Sequence, residues 1–218
     1  ERMLSVVSHI EVLAPGGAAL VDLPAALQQL RSHPQVVGAA PFVAAQALLA
    51  RGETMKGVVL RGIDPALEGE VTDLAAAHPE VLAQLQPGAF RVVLGLELAR
   101  QLGVRVGDVV TLVAPSGQVT PAGVLPRLKQ MTVAGLFHSG HYEYDAALAL
   151  MHVEDAQRLL RLEGPTGVRL KLHDLHQAPA VARELAHTLT EHLVLRDWTQ
   201  QNKTWYAAVQ LEKRMMFI

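Results

Sequence analysis

The order of its strand-like and helix-like segments constrains the fold of this chain more than any other sequence feature. Towards both ends the apolar residues follow a long α/β rhythm, in which strand patterns alternate with helical patterns. Turn residues such as Pro15-Gly16-Gly17 and Gly164-Pro165 separate these segments. The rhythm predicts strands at 5–13, 36–49, 55–60, 168–172 and 193–195, and helices at 23–31 and 178–190.

The middle of the chain has a different pattern, made of many short elements between closely spaced turn signals. One of them is a helix at 96–102, for which Gly103 is the natural residue after the C-terminus. We therefore predict an α+β fold in which one subdomain, formed by 1–65 and 164–218, is interrupted by a mostly β subdomain at 66–163. The other short elements predicted in the middle are strands at 92–94, 109–113, 131–137 and 147–151, and helices at 79–85 and 154–162.

Composition excludes several classes of function. The chain has 218 residues, of which 50% are hydrophobic and 18% are charged, as expected for a folded protein with a sizeable core. The formal net charge is −2, and no Lys and Arg cluster forms the basic surface that nucleic-acid binding needs. The chain has no cysteine, which excludes disulfides and thiolate metal sites. No apolar run reaches the roughly 18 residues that a membrane span needs.

The C-terminal segment has the pattern of a helix that begins near Thr199, with Asp197 as its N-cap. The segment ends in the apolar residues 215–218, without Gly or Pro, directly after the basic pair Lys213-Arg214. Two interpretations stay open. Either the natural chain continues into a membrane span whose interface the basic pair marks, or an ordinary C-terminal helix packs on the core.

One segment between two predicted strands is longer than the connection of a tight hairpin, which has about two to five residues. It contains three prolines, which fix φ and lack an N–H donor. We therefore predict a stiff loop that continues neither strand. The loop consists of Pro115, Ser116, Gly117, Gln118, Val119, Thr120, Pro121, Ala122, Gly123, Val124, Leu125 and Pro126.

Two roles fit this loop equally well. Val119, Val124 and Leu125 give it apolar side chains, and a stiff loop loses less entropy on docking, which favours a protein-binding element. Arg127 and Lys129 follow at alternate positions, so on a strand they share one face and add positive charge to the same candidate site. Alternatively, the loop is a solvated connection whose prolines protect the sheet edge from unwanted pairing.

Several segments together resemble the LolC/LolE family, the transmembrane subunits of lipoprotein-releasing ABC transporters. The sequence Thr-Pro-Ala-Gly-Val-Leu-Pro at 120–126 resembles the Thr-Pro-x-Gly-x-x-Pro pattern of the LolC loop called the Hook. The resemblance covers essentially the whole chain, and the order of the matches makes it specific. The other matching segments are the Gly-Ile-Asp-Pro turn, which also occurs in MacB-type domains, at 62–65, and the segments at 142–145, 154–159, 196–198 and 211–216.

This resemblance implies a MacB-like periplasmic core, with a Porter-type α/β subdomain interrupted by a mostly β Sabre-type subdomain that carries the Hook at 115–126. It implies a domain on the periplasmic face of the inner membrane, placed between the first two membrane helices of its subunit. The Hook, helped by a polar patch called the Pad, would recruit the LolA-type carrier that takes lipoprotein cargo to the outer membrane.

The resemblance also implies a division of labour between subunits. A LolE/LolC-type partner subunit would complete the membrane part, and a separate LolD-type subunit would hydrolyse ATP. This chain itself has no G-x-x-x-x-G-K-[ST] phosphate-binding loop. We therefore expect a non-catalytic domain, with no catalytic residue, no metal and no cofactor.

Two positions depart from the family pattern. The loop at 115–126 is one residue shorter than the LolC Hook, on the Gln118 side. Thr111 stands where the Pad has a basic residue on the strand before the loop, which leaves Arg127 and Lys129 as the candidates for that charge. The Thr-Pro-x-Gly-x-x-Pro loop favours a LolC-like role, while a LolE subunit or a hybrid of the two stays open.

Histidine pairs provide the main alternative of another class, a metal-dependent hydrolase. His138 and His141 are three residues apart, as are His173 and His176, and this spacing can bind a metal on a helix. Here both pairs fall at predicted strand ends or in loops, and no third ligand has a suitable spacing. Solvated loop histidines are therefore the favoured interpretation.

Glu143 and Asp145 form an acidic pair that we assign to a solvated turn, with both side chains on one face, rather than to an acid–base dyad. A rival with the same fold is the periplasmic domain of a MacB-type exporter or an FtsX-like regulator. Both of these should lack the proline-containing loop at 115–126, so this loop distinguishes them from a LolC-like domain.

Overall fold

The computed structural model describes residues 7–189, 192–200, 211, 214 and 215, and for 115–119 and 124 it describes the backbone alone. Most of the predicted C-terminal helix lies outside these residues. The β-strands of the described part are β1 Ile10–Leu13, β2 Val36–Arg51, β3 Thr54–Ile63, β4 Arg91–Gly95, β5 Val109–Thr120, β6 Gly123–Phe137, β7 Leu148–His152, β8 Gly167–Leu172 and β9 Val194–Asp197. Its α-helices are α1 Leu23–Arg31, α2 Asp73–Ala77, α3 Pro79–Leu82, α4 Leu96–Leu102, α5 Tyr142–Ala147, α6 Val153–Leu160 and α7 Ala178–Thr188.

One sheet contains all of these strands, and the long strand β2 connects its two parts. The strand order is β3-β7-β4-β6-β5-β2-β8-β1-β9, and β2 pairs in addition with β3. The first half of β2 pairs with β8, whereas its second half lies between β3 and β5. The strands β2, β3, β7, β4, β6 and β5 therefore close into a ring in which each strand has a neighbour on both sides.

The core of the ring is built from alternate residues of its six strands. Successive side chains of a strand point to opposite faces, so every second residue faces this core. Leu98 of α4 and Ala156 of α6, both without exposed surface, pack against it. Its strand residues are Val43, Ala47, Leu49, Val58, Leu60, Val92, Leu94, Val110, Leu112, Met131, Val133, Ala149 and Met151.

A second core lies between the β8-β1-β9 end of the sheet and the helices α1 and α7. From the sheet, residues of β1 and β8 such as Ile10 and Leu170 contribute buried side chains. Leu30 of α1 contributes another. Helix α7 packs here because its apolar residues recur at helical spacing, which forms one apolar stripe. The buried residues of that stripe are Ala178, Val181, Ala182 and Leu185.

A buried ion pair connects β8 to the short 3₁₀ helix that follows β3. Arg169 Nη2 lies 2.7 Å from Glu68 Oε1, and both side chains are almost completely buried. The Arg169 guanidinium also lies over the ring of Phe42, 4.8 Å from its centroid. The backbone approaches closely nearby, since a Cβ at Gly38 would lie 2.3 Å from the carbonyl oxygen of Glu70. The segment after β3 is therefore packed tightly onto β2 and β8.

The α+β class predicted from the sequence is confirmed, and most predicted elements form. Helix α4 ends as expected, with Gly103 in the left-handed conformation at φ 68°. The division into 1–65 with 164–218, and 66–163, stays a prediction. In the structure, β2 and β3 belong to the first of these parts but pair with β5 and β7 of the second.

Candidate protein-docking site

The segment 115–126 is a β-hairpin, so the prediction of a long loop that continues neither strand is wrong. Strand β5 runs to Thr120 and β6 begins at Gly123, with a turn of two residues between them. Thr120 Oγ1 donates a hydrogen bond to the Gly123 carbonyl oxygen at 2.8 Å, which closes the turn. Gly123 has φ 121°, a conformation that side-chain-bearing residues rarely adopt.

Each proline of the hairpin occupies a position that tolerates it. Pro121 is the first residue of the two-residue turn, where a fixed φ is favourable. Pro115 lies in a β-bulge, because the pairing shifts register between Ala114 and Gln118. The sequence interpretation overlooked that a bulge and a turn can absorb prolines without ending a strand.

Pro126 is tolerated because its missing N–H would face away from β5. Val133 donates its N–H to the Asp108 carbonyl oxygen on the β5 side at 2.8 Å, whereas Thr132 donates to the Phe90 carbonyl oxygen at 3.3 Å. Backbone groups alternate in direction along a strand, so the even-numbered residues of β6 face away from β5. The hairpin therefore loses no hydrogen bond at residue 126, and its free edge loses one donor.

The outer part of the hairpin extends beyond the ring. Strand β5 pairs with β2 only at 111–113, and β6 pairs with β4 only from Thr132 onward. Leu125 and Leu128 are 57% and 64% exposed. These leucines and the exposed turn make the hairpin an apolar projection of the kind that binds proteins.

Arg127 and Lys129 lie on the same face of β6, as their spacing predicts, but both are engaged within the domain. Arg127 Nη1 donates a hydrogen bond to the carbonyl oxygen of Leu159, near the end of α6, at 3.2 Å. Lys129 Nζ lies 4.2 Å from the centroid of the Phe90 ring, a cation–π contact. The two side chains therefore join the root of the hairpin to its neighbours.

Thr111, at the position where the Pad carries a basic residue, does not share the face of Arg127 and Lys129. Directly opposed residues of paired strands point to the same face of a sheet. Lys129 is opposite Leu112, whereas Thr111 is opposite Gln130. A Pad that combined position 111 with position 129 is therefore not assembled on one face of the hairpin.

The acidic pair Glu143 and Asp145 lies in helix α5, so the prediction of a solvated turn with both carboxylates on one face is wrong. Residues two apart on a helix point in different directions, and here Glu143 is exposed while Asp145 is buried. Asp145 Oδ1 accepts hydrogen bonds from the Ser139 backbone N–H at 2.7 Å and from the Ser139 hydroxyl at 2.6 Å. His138 Nδ1 lies 3.1 Å from Asp145 Oδ2. These contacts fix the loop before α5.

Within the described part of the chain, no group of three His, Asp or Glu side chains is arranged to hold a metal ion. The described helices likewise include none that combines the length and the apolar character needed to cross a bilayer.

The sequence interpretation missed Asp155 and Phe90, which support the root of the hairpin. Asp155 of α6 is fully buried, and its two carboxylate oxygens accept hydrogen bonds from the backbone N–H groups of Gly88 and Phe90 at 2.7 and 3.0 Å. Phe90 has a positive φ of 48°, which is uncommon for an aromatic residue. Nothing in the sequence distinguishes Asp155 from an ordinary acidic residue in the first turn of a helix.

Comparison with known proteins finds a matching domain family and several similar sequences. Residues 2–188 match the model of the MacB-like periplasmic core domain. The chain is 41% identical over 219 residues to the lipoprotein-releasing system transmembrane protein LolC of Xylella fastidiosa, covering 100% of this chain and 52% of that protein. It is 47% identical over 186 residues to LolC of Neisseria meningitidis, covering 84% of this chain and 45% of that protein. The chain thus spans about half the length of these relatives.

The fold has a counterpart among solved structures. The periplasmic region of MacB from Actinobacillus actinomycetemcomitans superposes with a TM-score of 0.51 and 11% sequence identity, covering 93% of this chain and 94% of that one. At this identity the likeness shows the fold alone. The expected resemblance to LolC/LolE subunits is confirmed by the sequence relatives. With its fold and 187 of its residues matched, the chain belongs to the MacB-like periplasmic core domain family.

Proposed function

We propose that this chain is the extracytoplasmic domain of a LolC-like subunit in a lipoprotein-releasing ABC transporter, and that it recruits a LolA-type carrier through the hairpin at 115–126. Lipoprotein cargo would then pass from the inner membrane to the carrier on the way to the outer membrane. The domain would stand on the periplasmic face of the inner membrane and would be non-catalytic. ATP hydrolysis would take place in a LolD-type subunit, and a LolE/LolC-type subunit would be the membrane partner.

The observation that carries this proposal is the form of the hairpin. The Thr-Pro-x-Gly-x-x-Pro sequence spans its turn and the start of β6, the hairpin projects beyond the ring, and Leu125 is exposed. A two-stranded element with an internally hydrogen-bonded turn has fewer conformations than an open loop, so less entropy is lost when a partner binds. The LolC relatives support the choice of a lipoprotein carrier as that partner.

Replacement of the hairpin tests the proposal directly. Residues 115–126 are removed and Ala114 is joined to Arg127 through Asn-Gly, a sequence suited to a two-residue turn. The pairing of 109–114 with 127–132 is retained, so we expect an unchanged circular dichroism spectrum and a thermal midpoint within a few degrees. We expect binding to the LolA-type carrier of the same organism to fall below detection in calorimetry.

A matched control changes a different hairpin. The turn between β2 and β3, at Gly52-Glu53, is replaced by Asn-Gly, which leaves the strands and their pairing in place. This variant should bind the carrier like the wild type. Carrier binding at full strength by the folded variant without 115–126 would contradict the proposal, and the docking surface would then lie elsewhere.

A further inference from the structure

The root of the hairpin is held on helix α6 by two side chains, and we propose that Arg127 and Lys129 are positioning residues that fix the direction of the hairpin. In this role they act through the hairpin, and the role does not depend on whether their exposed atoms also contact the docking partner. We infer this role as part of the proposed function. The carrier-binding experiment below rests on that function, whereas the distance measurements do not.

The first contact is made by Arg127 at the C-terminal end of α6. The last four carbonyl groups of a helix have no partner within the helix. After α6, the backbone N–H of Arg161 binds the carbonyl oxygens of Gln157 and Arg158, while the Leu159 carbonyl accepts from Arg127 Nη1 at 3.2 Å. A cation at this end of a helix is stabilised by the helix dipole as well. Arg127 thus caps one of the free carbonyl groups at the end of α6 and connects β6 to this helix.

The second contact runs from Lys129 to α6 through Phe90. Lys129 Nζ lies over the Phe90 ring at 4.2 Å. The turn that presents this ring is held by the buried carboxylate of Asp155, which accepts from both Gly88 and Phe90. The ring is therefore a fixed platform rather than an exposed side chain, and Lys129 is the second attachment of β6 to the same helix.

Both contacts lie on the ring side of the bulge. Ala114 and Arg127 form the last regular pair before the register shift at 115–117. Beyond that point, in the part of the chain that the structure describes, 118–120 and 123–125 pair with each other alone. An isolated two-stranded hairpin is at best marginally stable in water, so this outer part depends on its attachment to the ring. The direction of the tip is therefore determined by how firmly its root is held.

Distance measurements between two spin labels test this inference without any partner. The chain has no cysteine, so Ala122→Cys in the turn and Ala77→Cys in α2, both exposed, give a unique label pair. We expect a narrow distance distribution in the wild type and a clearly broader one in Arg127→Gln/Lys129→Met. Phe90→Leu should also broaden it, although no charge changes, and Arg127→Lys, which can still donate to Leu159, should restore most of the narrow distribution.

Arg161→Gln is the matched control, because it removes one positive charge just after α6. Arg161 is exposed, and its side chain makes no hydrogen bond or ion pair within the described part of the chain. Its distance distribution should equal that of the wild type. An unbroadened distribution in Arg127→Gln/Lys129→Met would overturn the inference, and so would equal broadening in Arg161→Gln. Thermal midpoints within a few degrees of the wild type show that the ring itself is intact.

Binding to the purified LolA-type carrier separates a positioning role from a contact role. We expect about tenfold weaker binding for Arg127→Gln, the size of one lost hydrogen bond to a charged group, and wild-type binding for Arg161→Gln. If Arg127 positions the hairpin, the affinity lost in Arg127→Gln should be the same at high salt. If Arg127 instead contacts the carrier through its charge, the affinity difference from the wild type should become smaller at high salt. A loss that disappears at high salt would overturn the inference. Failure of the wild type to bind would count against the proposed function alone, since the label distances are measured without the carrier.

Discussion

At the scale of single residues, buried charged side chains hold the irregular segments of this domain against its regular elements. Asp155 holds the turn at Gly88 and Phe90 against α6, and Asp145 holds the loop at Ser139 against α5. Loop N–H groups have no ladder partner, so a buried carboxylate that accepts from them removes a large desolvation cost.

The ion pair of Glu68 and Arg169 differs, because both partners are charged and almost completely buried. Burial raises the pKa of Glu68, although the attraction of Arg169 opposes this shift. Burial lowers the pKa of Arg61 to about 10, and the positive charge of Arg169 adds to this shift. These shifts show that burying the charges is costly. The pair therefore fixes the position of the 3₁₀ helix more than it adds to stability.

We predict that Glu68→Leu alone lowers the free energy of unfolding by about 3 kcal/mol or more, because it leaves the Arg169 charge buried without its partner. The double substitution Glu68→Leu/Arg169→Met should recover most of that loss, because two apolar side chains of similar size replace the pair. Urea titration of both variants measures the difference. A double variant no more stable than Glu68→Leu would show that the pair is a net stabiliser.

At the scale of elements, the hairpin of β5 and β6 combines a fixed root with an exposed tip. Its prolines occupy a bulge, a turn and an edge-facing position, so the strands continue past all of them. Pro126 removes one N–H donor from the free edge of β6, as the edge-protecting interpretation of this segment expects. An edge-protecting role for this proline does not exclude a docking role for the tip.

We predict that Leu125→Asp weakens carrier binding about tenfold or more, since it places a charge on the apolar tip of the docking element. The fold should be unchanged, because Leu125 is already 57% exposed. Val106→Asp is the matched control: Val106 is 59% exposed in a turn outside the hairpin, and its replacement should leave binding as in the wild type. Calorimetric titration with the carrier measures both, and equal affinities for the two variants would contradict this assignment of the tip.

At the scale of the whole molecule, β2 is shared by the ring and by the β8-β1-β9 end of the sheet. Because β2 and β3 supply two of the six ring strands, the ring core cannot close without residues from outside 66–163. The boundary predicted at residues 65 and 66 marks a change of sequence pattern, whereas the hydrogen bonds of the sheet continue across it.

We predict that a fragment of residues 66–163 does not fold, whereas residues 36–163, which contain all six ring strands, form the ring. Without β2 and β3, the strands β5 and β7 lose their neighbours, and the side chains of the ring core become exposed. Dispersed amide resonances and a cooperative urea transition are expected only for the longer fragment. A folded 66–163 fragment would show that the inserted segment is an independent unit after all.

The sequence by itself determined most of the elements and the family of this protein. Helix α4 ending at Gly103, the apolar stripe of α7 and the pairing of β2 with β3 depend on local periodicity and turn residues, which are visible along the chain. The candidate hairpin was located by its prolines and by the Thr-Pro-x-Gly-x-x-Pro motif, and its position holds although its secondary structure was mistaken.

Only the tertiary structure decided how these parts combine. Closure of the ring by β2 and β5 depends on contacts between residues about 60 positions apart, which no local pattern encodes. Burial gave Asp145 and Asp155 their roles, and a contact with the distant helix α6 gave Arg127 its role; an exposed charged side chain and a buried one have the same sequence signature. The strength of a hydrogen bond or of a charge depends on its surroundings, and those surroundings are assembled from distant segments when the chain folds.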